Sequence, residues 1–449
     1  MDARPCGLRA APAAPVAGAA VSGPRAASGR PTSGPLDSTR IDWLRTQPGE
    51  RAAAEALDAL DEGRAPHTIQ ERLRRELPAE HASAALAVAS ARRAARARGL
   101  DGWARIVADR ATVEQAAHPL LARHTAGRFA GRGLVADLGC GAGLDALALA
   151  ERASRVLAVD RDVTRLAMLR ANASAAGAEA RIWPLAADLE RWEPPPEVDA
   201  GWCDPARRDG AGRRLDPGRW SPPLPRALAL VAGMPAAGLK LAPGIDSAAL
   251  PATGELEFVS LAGRMRAAVL WLGDLAGPRR RATVLDAGPS GEAATLAGEP
   301  EPAGPPAPEP ARYLYDPDPS VGRAGLVGAL AERLDARPLA PRIAYVTADT
   351  RVDTPFARRF RVHGWLPFSE RQLLARLDEL ARELGAGRVE VMRRGSPIDT
   401  NALERRLGAA LSAAGGPADG RVLTVALTRV GGRPAAILCE RERDPSARP

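Results

Sequence analysis

The sequence predicts an α/β protein: a doubly wound, mostly parallel sheet, preceded by a helical region and followed by a smaller mixed α/β domain. Three observations carry that expectation. Apolar strands alternate with helix-period segments from residue 130 to about 290. A glycine turn, Gly139-Cys140-Gly141-Ala142-Gly143, joins the first of those strands to a helix, and the next strand closes on Asp160. A proline-rich stretch then precedes a further run with strands and helices of its own.

Taken in order, residues 1–36 are Ala, Pro, Gly, Ser and Arg with almost no large apolar side chains, so a disordered tail is expected. Its Ala-rich stretch is broken by Pro and Gly and lacks Leu, Ile and Phe, so no signal peptide is expected. Residues 37–129 read as helical: Ile41, Trp43 and Leu44 open an amphipathic segment, and Ile69, Leu73 and Leu77 recur at four-residue spacing. The arginine run from Arg92 to Arg98 reads as a solvated helix face. From 130 to 290, strands are expected at 133–138, 155–160, 180–186, 199–204 and 238–243. Glu255–Leu261 and Ala267–Leu272 form a hairpin around Gly263 that closes the sheet with one reversed edge strand. Residues 291–311, with six prolines between Pro300 and Pro310, read as a semi-rigid linker. Residues 312–445 read as mixed α/β, with strands near 343–347, 388–393 and 422–428 and helices near 370–384 and 400–411.

Composition bounds the chemistry. A chain of 449 residues with net charge +8 has room for two or three domains and weakly favours polyanionic partners. Arginine supplies nearly all the cations; Lys240 is the only lysine. Cys6, Cys140, Cys203 and Cys439 are scattered, without a CxxC pair or a Cys/His cluster, so neither a disulfide framework nor a metal site is indicated and a reducing, cytoplasmic setting is expected. No run approaches the ~18 apolar residues of a membrane span.

The glycine turn is the layout of a nucleotide-cofactor site. Gly139, Gly141 and Gly143 allow a tight turn and close approach of a ligand. The spacing is not the G-x-G-x-x-G of dinucleotide sites, and Asp137 before the loop suits a ligand with a cationic amino-acid tail better than a pyrophosphate. Asp160 is placed to accept from two ribose hydroxyls. Asp188, at the end of the third strand, either accepts from an adenine amino group, with Leu189 offering a backbone N–H, or simply caps a helix. The fourth strand ends in Asp204-Pro205-Ala206-Arg207-Arg208. With Arg213, Arg214 and the Trp220-Ser221-Pro222-Pro223 segment it would form a cationic lip able to grip a phosphate. Cys203 and Cys140 read as buried or loop residues rather than nucleophiles. In the last domain, Arg358, Arg359 and Arg361 around Phe360, and the pair Arg393-Arg394, suit phosphate and base contacts or form a solvated basic face.

These motifs resemble a known family. Val135-Ala-Asp-Leu-Gly-Cys-Gly-Ala-Gly143, Asp204-Pro-Ala-Arg-Arg208, Leu239-Lys-Leu-Ala-Pro-Gly-Ile245, Tyr313-Leu-Tyr-Asp-Pro-Asp-Pro319, Thr354-Pro-Phe-Ala-Arg-Arg-Phe-Arg-Val362 and Val391-Met-Arg-Arg-Gly395 are similar to class I methyltransferases of the actinobacterial type that carry a C-terminal THUMP-like domain, over roughly residues 40–440. Thr112–Phe129 resembles the helix before the cofactor motif in trimethylguanosine synthase relatives. Asp204-Pro205 resembles the D-P-P-Y motif of amino-group methylases, with Ala206 and Arg207 in place of the second proline and the aromatic. The resemblance implies a Rossmann-like methyltransferase sheet, S-adenosyl-L-methionine as cofactor, and a nucleobase of structured RNA (tRNA or rRNA) as acceptor, with no membrane or metal partner. Asp204, Pro205, Arg207 and Arg208 would be catalytic. A small-molecule or protein methyltransferase, or a catalytically silent RNA-binding protein, is the alternative.

Overall fold

The computed structural model describes residues 36–442 apart from 101–104, 210–211, 214–215, 287, 289–291 and 414–419, and omits the side chains of 208, 209, 212 and 213. Residues 1–35 of the expected disordered tail, and Arg214, therefore lie outside the described residues, as do the side chains of Arg208 and Arg213.

The helical expectation for 37–129 is met by α1 (Ser38–Leu44), α2 (Gln47–Asp61), α3 (Pro66–Leu73), α4 (Ala79–Ala97), α5 (Arg110–Gln115) and α6 (Pro119–Gly127). Asp37, Thr46 and Asp109 each accept a backbone N–H of the turn they start, and prolines open α2, α3 and α6. α2 and α4 meet through small residues, Ala52, Ala56 and Ala59 against Ala82, Ala85 and Ala89. In the arginine run of α4, Arg93, Arg96 and Arg98 are exposed, as expected of a solvated face, and Arg92 is the exception. Arg92 is only 2% exposed and donates to both carboxylate oxygens of Glu50 (2.9 and 3.0 Å) and to Ile106 O (3.1 Å). Arg93 donates to Leu60 O and Arg98 to Val113 O, each at 2.7 Å. Alanine-rich helices leave space between them, and long arginine stems fill it while their heads tie loose carbonyls.

The central sheet follows: β1 (Leu134–Leu138), α7 (Leu144–Ala150), β2 (Arg155–Asp160), α8 (Val163–Ala175), β3 (Ile182–Ala186), β4 (Ala200–Cys203), a short ribbon of β5 (Arg208–Asp209) and β6 (Gly212–Arg213), α9 (Leu224–Ala232), β7 (Ala236–Leu241), β8 (Glu255–Leu261), β9 (Arg264–Gly273), β10 (Arg280–Leu285) and β11 (Ala293–Gly298). Nine of these strands form one sheet in the order β11-β10-β8-β9-β7-β4-β1-β2-β3. β3, β2, β1, β4 and β7 are parallel, and the order reverses between β1 and β4, where a crevice opens at the carboxyl ends of the strands.

Two expectations are corrected here. The reversed strand, β9, is interior, antiparallel to both β7 and β8. Every residue of β8 is buried, so its far side also needs a partner, and β10 supplies one in parallel. The stretch taken for a linker contains β11, which pairs with β10. Ala-Ala-Thr-Leu-Ala-Gly lacks the large β-branched and aromatic residues that announce a strand.

The last elements are β12 (Tyr313–Pro317), α10 (Pro319–Ala324), α11 (Val327–Arg333), β13 (Arg337–Pro338), β14 (Val346–Ala348), β15 (Ala357–Pro367), α12 (Glu370–Leu384), β16 (Ala386–Arg393), α13 (Thr400–Ala413), β17 (Arg421–Val430) and β18 (Arg433–Arg441). The strands form a second sheet, β13-β14-β12-β15-β18-β17-β16, with β16 and β17 its parallel pair. α12 and α13 lay Leu373, Leu377, Leu403 and Leu407 on Leu423, Val425 and Leu427. The proline stretch does not separate two cores. Val321, Leu326 and Leu330 share a core with Leu256, Phe258, Leu270 and Ala282 of the first sheet. The prolines themselves are fastened down: Ala307 N–H donates to Pro338 O (2.8 Å) and Arg337 to Pro306 O (2.9 Å).

Candidate functional site

The loop after β1 is shaped by its glycines. Gly139, Gly141 and Gly143 have φ of 86°, 54° and 88°, the left-handed region that side chains disfavour. At Gly143 a Cβ would also lie 2.7 Å from Leu169 Cγ on α8. The N–H groups of Gly139 and Cys140 both donate to Val159 O, at 2.9 and 3.0 Å. Asp160 completes the brace. It is 7% exposed, its Oδ2 accepts from Gly141 N–H and its Oδ1 from Asp162 N–H, each at 2.9 Å. On α8, Asn172 binds Val107 N–H, Val107 O and Ala142 O (2.8, 3.2 and 3.0 Å), which ties the N-terminal helical region to the loop.

Two adjoining cavities share Gly139, Gln115, Arg165, Asp204 and Ala206. One, about 390 Å³, is walled by Asp137, Asp145, Pro205, Arg207 and Arg266; the other, about 600 Å³, by Asp160, Asp188, Leu189 and Trp220. The fold thus brings Asp137, Gly139, Gly141, Asp160, Asp188, Leu189, Asp204, Pro205 and Arg207 to one cleft. Asp188 is exposed and its Oδ1 accepts from Glu190 N–H (3.1 Å), so it caps a turn and also lines the cleft. Ala206 and Ser221 exchange two backbone hydrogen bonds (2.8 and 3.1 Å), which sets the Trp220-Ser221-Pro222 segment against the Asp204 turn. Arg208 and Arg213 face each other across the β5–β6 ribbon that follows.

The floor of the cleft carries an excess of buried negative charge. Burial, then Asp145, Asp204 and Asp160, push the Asp137 carboxyl well above the usual carboxylate range. Its Oδ2 is buried with no hydrogen-bond partner among the described residues. Asp145 is also raised, by burial first and then Asp204, although it accepts from Trp202 Nε1–H at 3.0 Å. One cation answers them. Lys240 Nζ, on β7, lies 2.5 Å from Asp204 Oδ2, with side chains 5% and 25% exposed. Burial alone would lower its pKa, but Asp204 and Asp145 outweigh burial and hold the ammonium form. Sequence reasoning missed the roles in this cluster of Asp145 and Lys240. The signal for Lys240 was present: one lysine among 62 basic residues, in the middle of an apolar strand. Cys140 and Cys203 are buried, and burial pushes both thiols well up, so neither is a ready thiolate.

Of the C-terminal arginines, Arg359 is buried and paired inside the protein, which corrects its reading as an open phosphate contact, while Arg358, Arg361 and Arg393 are exposed. Arg359 is 5% exposed and pairs with Asp353 and with Glu442 (2.8 Å). Arg358 pairs with Asp316, and Arg394 with the same carboxylate at 2.7 Å and with Pro317 O at 2.8 Å. A buried strand acid such as Asp316, 4% exposed, draws in cations because it cannot be left unpaired. Arg361 and Arg393 are exposed, and Arg393 donates to Ile398 O at 2.5 Å. Among the described residues no group of His, Cys, Asp and Glu could hold a metal ion, and no helix is long and apolar enough to cross a membrane.

Comparison with known proteins agrees with this geometry. Residues 135–206 match the methyltransferase domain family and residues 357–441 the THUMP domain-like family. Uncharacterized S-adenosylmethionine-dependent methyltransferases from two strains of Mycobacterium tuberculosis, CDC 1551 and H37Rv, are each 36% identical over 338 residues, covering 74% of this chain and 86% of theirs. The crystal structure of a candidate methyltransferase from Porphyromonas gingivalis W83 superposes with a TM-score of 0.68 at 21% identity, over 90% of this chain and 98% of that one. The chain belongs to the S-adenosylmethionine-dependent methyltransferases, as a class I enzyme with a C-terminal THUMP-like domain. The cleft suits that cofactor. The unpartnered Asp137 Oδ2 and the surplus of carboxylates favour a ligand carrying positive charge, and the glycine loop leaves room for its approach.

Proposed function

We propose that this methyltransferase modifies a nucleobase in structured RNA, tRNA or rRNA, by direct transfer, in the cytoplasm. The observation that carries the reading is the Asp204-Pro205-Ala206-Arg207 turn, which puts an acid pinned by Lys240 and an arginine on the wall shared with the cofactor loop. The THUMP-like unit supports the same reading. In it, Asp137, Gly139, Gly141, Gly143, Asp160, Asp188 and Leu189 hold S-adenosylmethionine, which supplies an electrophilic methyl group. Lys240 fixes Asp204 through Oδ2, which leaves Oδ1 to accept a hydrogen bond from the target amine and to offset the positive charge that grows on its nitrogen. Pro205 keeps the turn rigid. Arg207, with Arg208, Arg213 and Arg214, holds the phosphate beside a base turned out of its stack. The main work of the protein is alignment of nucleophile and methyl group.

The test is transfer of label from methyl-labelled cofactor to total cellular RNA, with and without nuclease. The reading expects label that becomes acid-soluble after ribonuclease. Label that survives ribonuclease but not protease, or that stays with small molecules, would assign a different acceptor.

A further inference from the structure

Asp145 stands in the cleft and has no part in the reading above. Neighbouring strands bring it there. Asp137 of β1 is the register partner of Trp202 on β4, and Trp202 is the partner of Gly238 on β7. Register partners in a parallel sheet point to the same face, and so do residues two apart on one strand. Asp137, Trp202 and Lys240 therefore share one face near the carboxyl ends of their strands. Trp202, 1% exposed, donates its indole N–H to Asp145 Oδ2 at 3.0 Å. That bond sets Asp145, in the first turn of α7, on the wall of the cavity that Asp137 and Asp204 also line. Asp137 and Lys240 are 2% and 4% exposed, and Lys240 is engaged with Asp204. Arg165, Arg207 and Arg266 line the cavity too, but each reaches solvent, where charge is screened. The buried side of the cavity is short of a cation.

The two forms of the cofactor differ in that respect. S-adenosylmethionine and S-adenosylhomocysteine share an ammonium and a carboxylate, but the methyl donor alone carries a positive sulfonium. Asp137, whose Oδ2 is buried without a partner among the described residues, suits the ammonium that both forms carry. Asp145 is the carboxylate left over. Its hydrogen bond comes from a neutral indole, which fixes its place and leaves its charge unanswered. We propose that Asp145 is a specificity-determining residue of the cofactor cleft: its negative charge favours the sulfonium form over the demethylated product, so the product is held less tightly once the methyl group has gone. The inference needs the cofactor and is independent of the acceptor, RNA or otherwise.

The experiment is calorimetric titration of the full chain with three ligands: S-adenosylmethionine, S-adenosylhomocysteine and sinefungin, an unreactive analogue with a cationic amine in place of the sulfonium methyl. The titrations are run near pH 8, because burial raises the Asp145 carboxyl, though Lys240 opposes it. Asp145→Asn keeps an oxygen for Trp202 and removes the charge. The affinity of each cationic ligand relative to S-adenosylhomocysteine should then fall by roughly five- to tenfold, with S-adenosylhomocysteine itself changed by less than about twofold. Asp145→Glu, which restores the charge, should return most of that preference. An unchanged melting temperature serves as the fold control for both variants. A relative affinity that keeps its wild-type value in Asp145→Asn would overturn the proposal. So would an equal loss for all three ligands, or the same loss of preference in Asp145→Glu; either would leave Asp145 as a support for Trp202 and the glycine loop.

Discussion

With Asp145, Asp204 and Asp160 around it and almost no solvent above it, Asp137 holds its proton more tightly in the folded, ligand-free protein than in the unfolded chain. That raised pKa stabilises the fold below the ordinary carboxylate range, and the contribution is lost as pH rises through the raised value. Asp137→Asn should therefore melt at or above wild type near pH 8, by about 2 °C if ~1 kcal/mol is relieved, and the advantage should vanish in acid; paired thermal melts at the two pH values check it. Lys240 is the converse case. Lys240→Met leaves Asp204 and Asp145 without their shared cation, and breaking a buried pair from one side costs about 3–5 kcal/mol, read by urea unfolding. A loss under 1 kcal/mol would mean the ammonium is not the counter-charge of the floor. At this scale the sequence showed Asp137, Asp160 and Asp204, because each ends a strand beside a motif. It did not show Asp145 as part of the floor, because a first-turn aspartate after a glycine loop looks like an ordinary helix cap until β4 and β7 are laid beside it.

Elements were legible where periodicity was strong. β1, β2, β8, α12 and α13 fall within a few residues of the apolar strands and helix-period segments read from the sequence. β10, β11, β15 and β18 were obscured by arginines or by runs of alanine, since strand content there is fixed by the neighbouring strand and not by local propensity. The same cause misled the reading of β15. Its Arg358-Arg359-Phe360-Arg361 run looks like a basic surface, yet Arg359 joins three separate pieces of chain: β15, the Val352–Asp353 segment and Glu442 after β18. Arg359→Ala should destabilise the protein by roughly 1–3 kcal/mol by denaturant unfolding, and leave tRNA salt dependence unchanged. A flattened salt slope without loss of stability would return Arg359 to the surface.

For the whole molecule, composition suggests two folded units divided by prolines, and packing joins them. Phe258, Leu256 and Ala282 of the first sheet are covered by Val321, Leu326 and Leu330 from beyond the prolines. A chain ending near Gly298 would bare that face. It should aggregate on size-exclusion or melt at least ~4 °C below the full chain, because several buried apolar side chains at ~1.5–3 kcal/mol each lose their cover. A monodisperse fragment with the parent's melting temperature would restore the linker reading. The N-terminal region is coupled in a similar way, through Asn172, to the loop that shapes the cleft, so the cofactor site depends on packing from both ends of the chain. The central claim is that one cleft divides its acids between cofactor and acceptor. Calorimetric titration of S-adenosylhomocysteine into wild type, Asp160→Asn and Asp204→Asn tests it most directly. The account predicts binding to wild type, a several-fold to hundredfold loss for Asp160→Asn, since hydrogen bonds to a charged acceptor contribute about 1.5–3 kcal/mol, and near-wild-type affinity for Asp204→Asn. Unchanged affinity in Asp160→Asn, or equal loss in both variants, would contradict it.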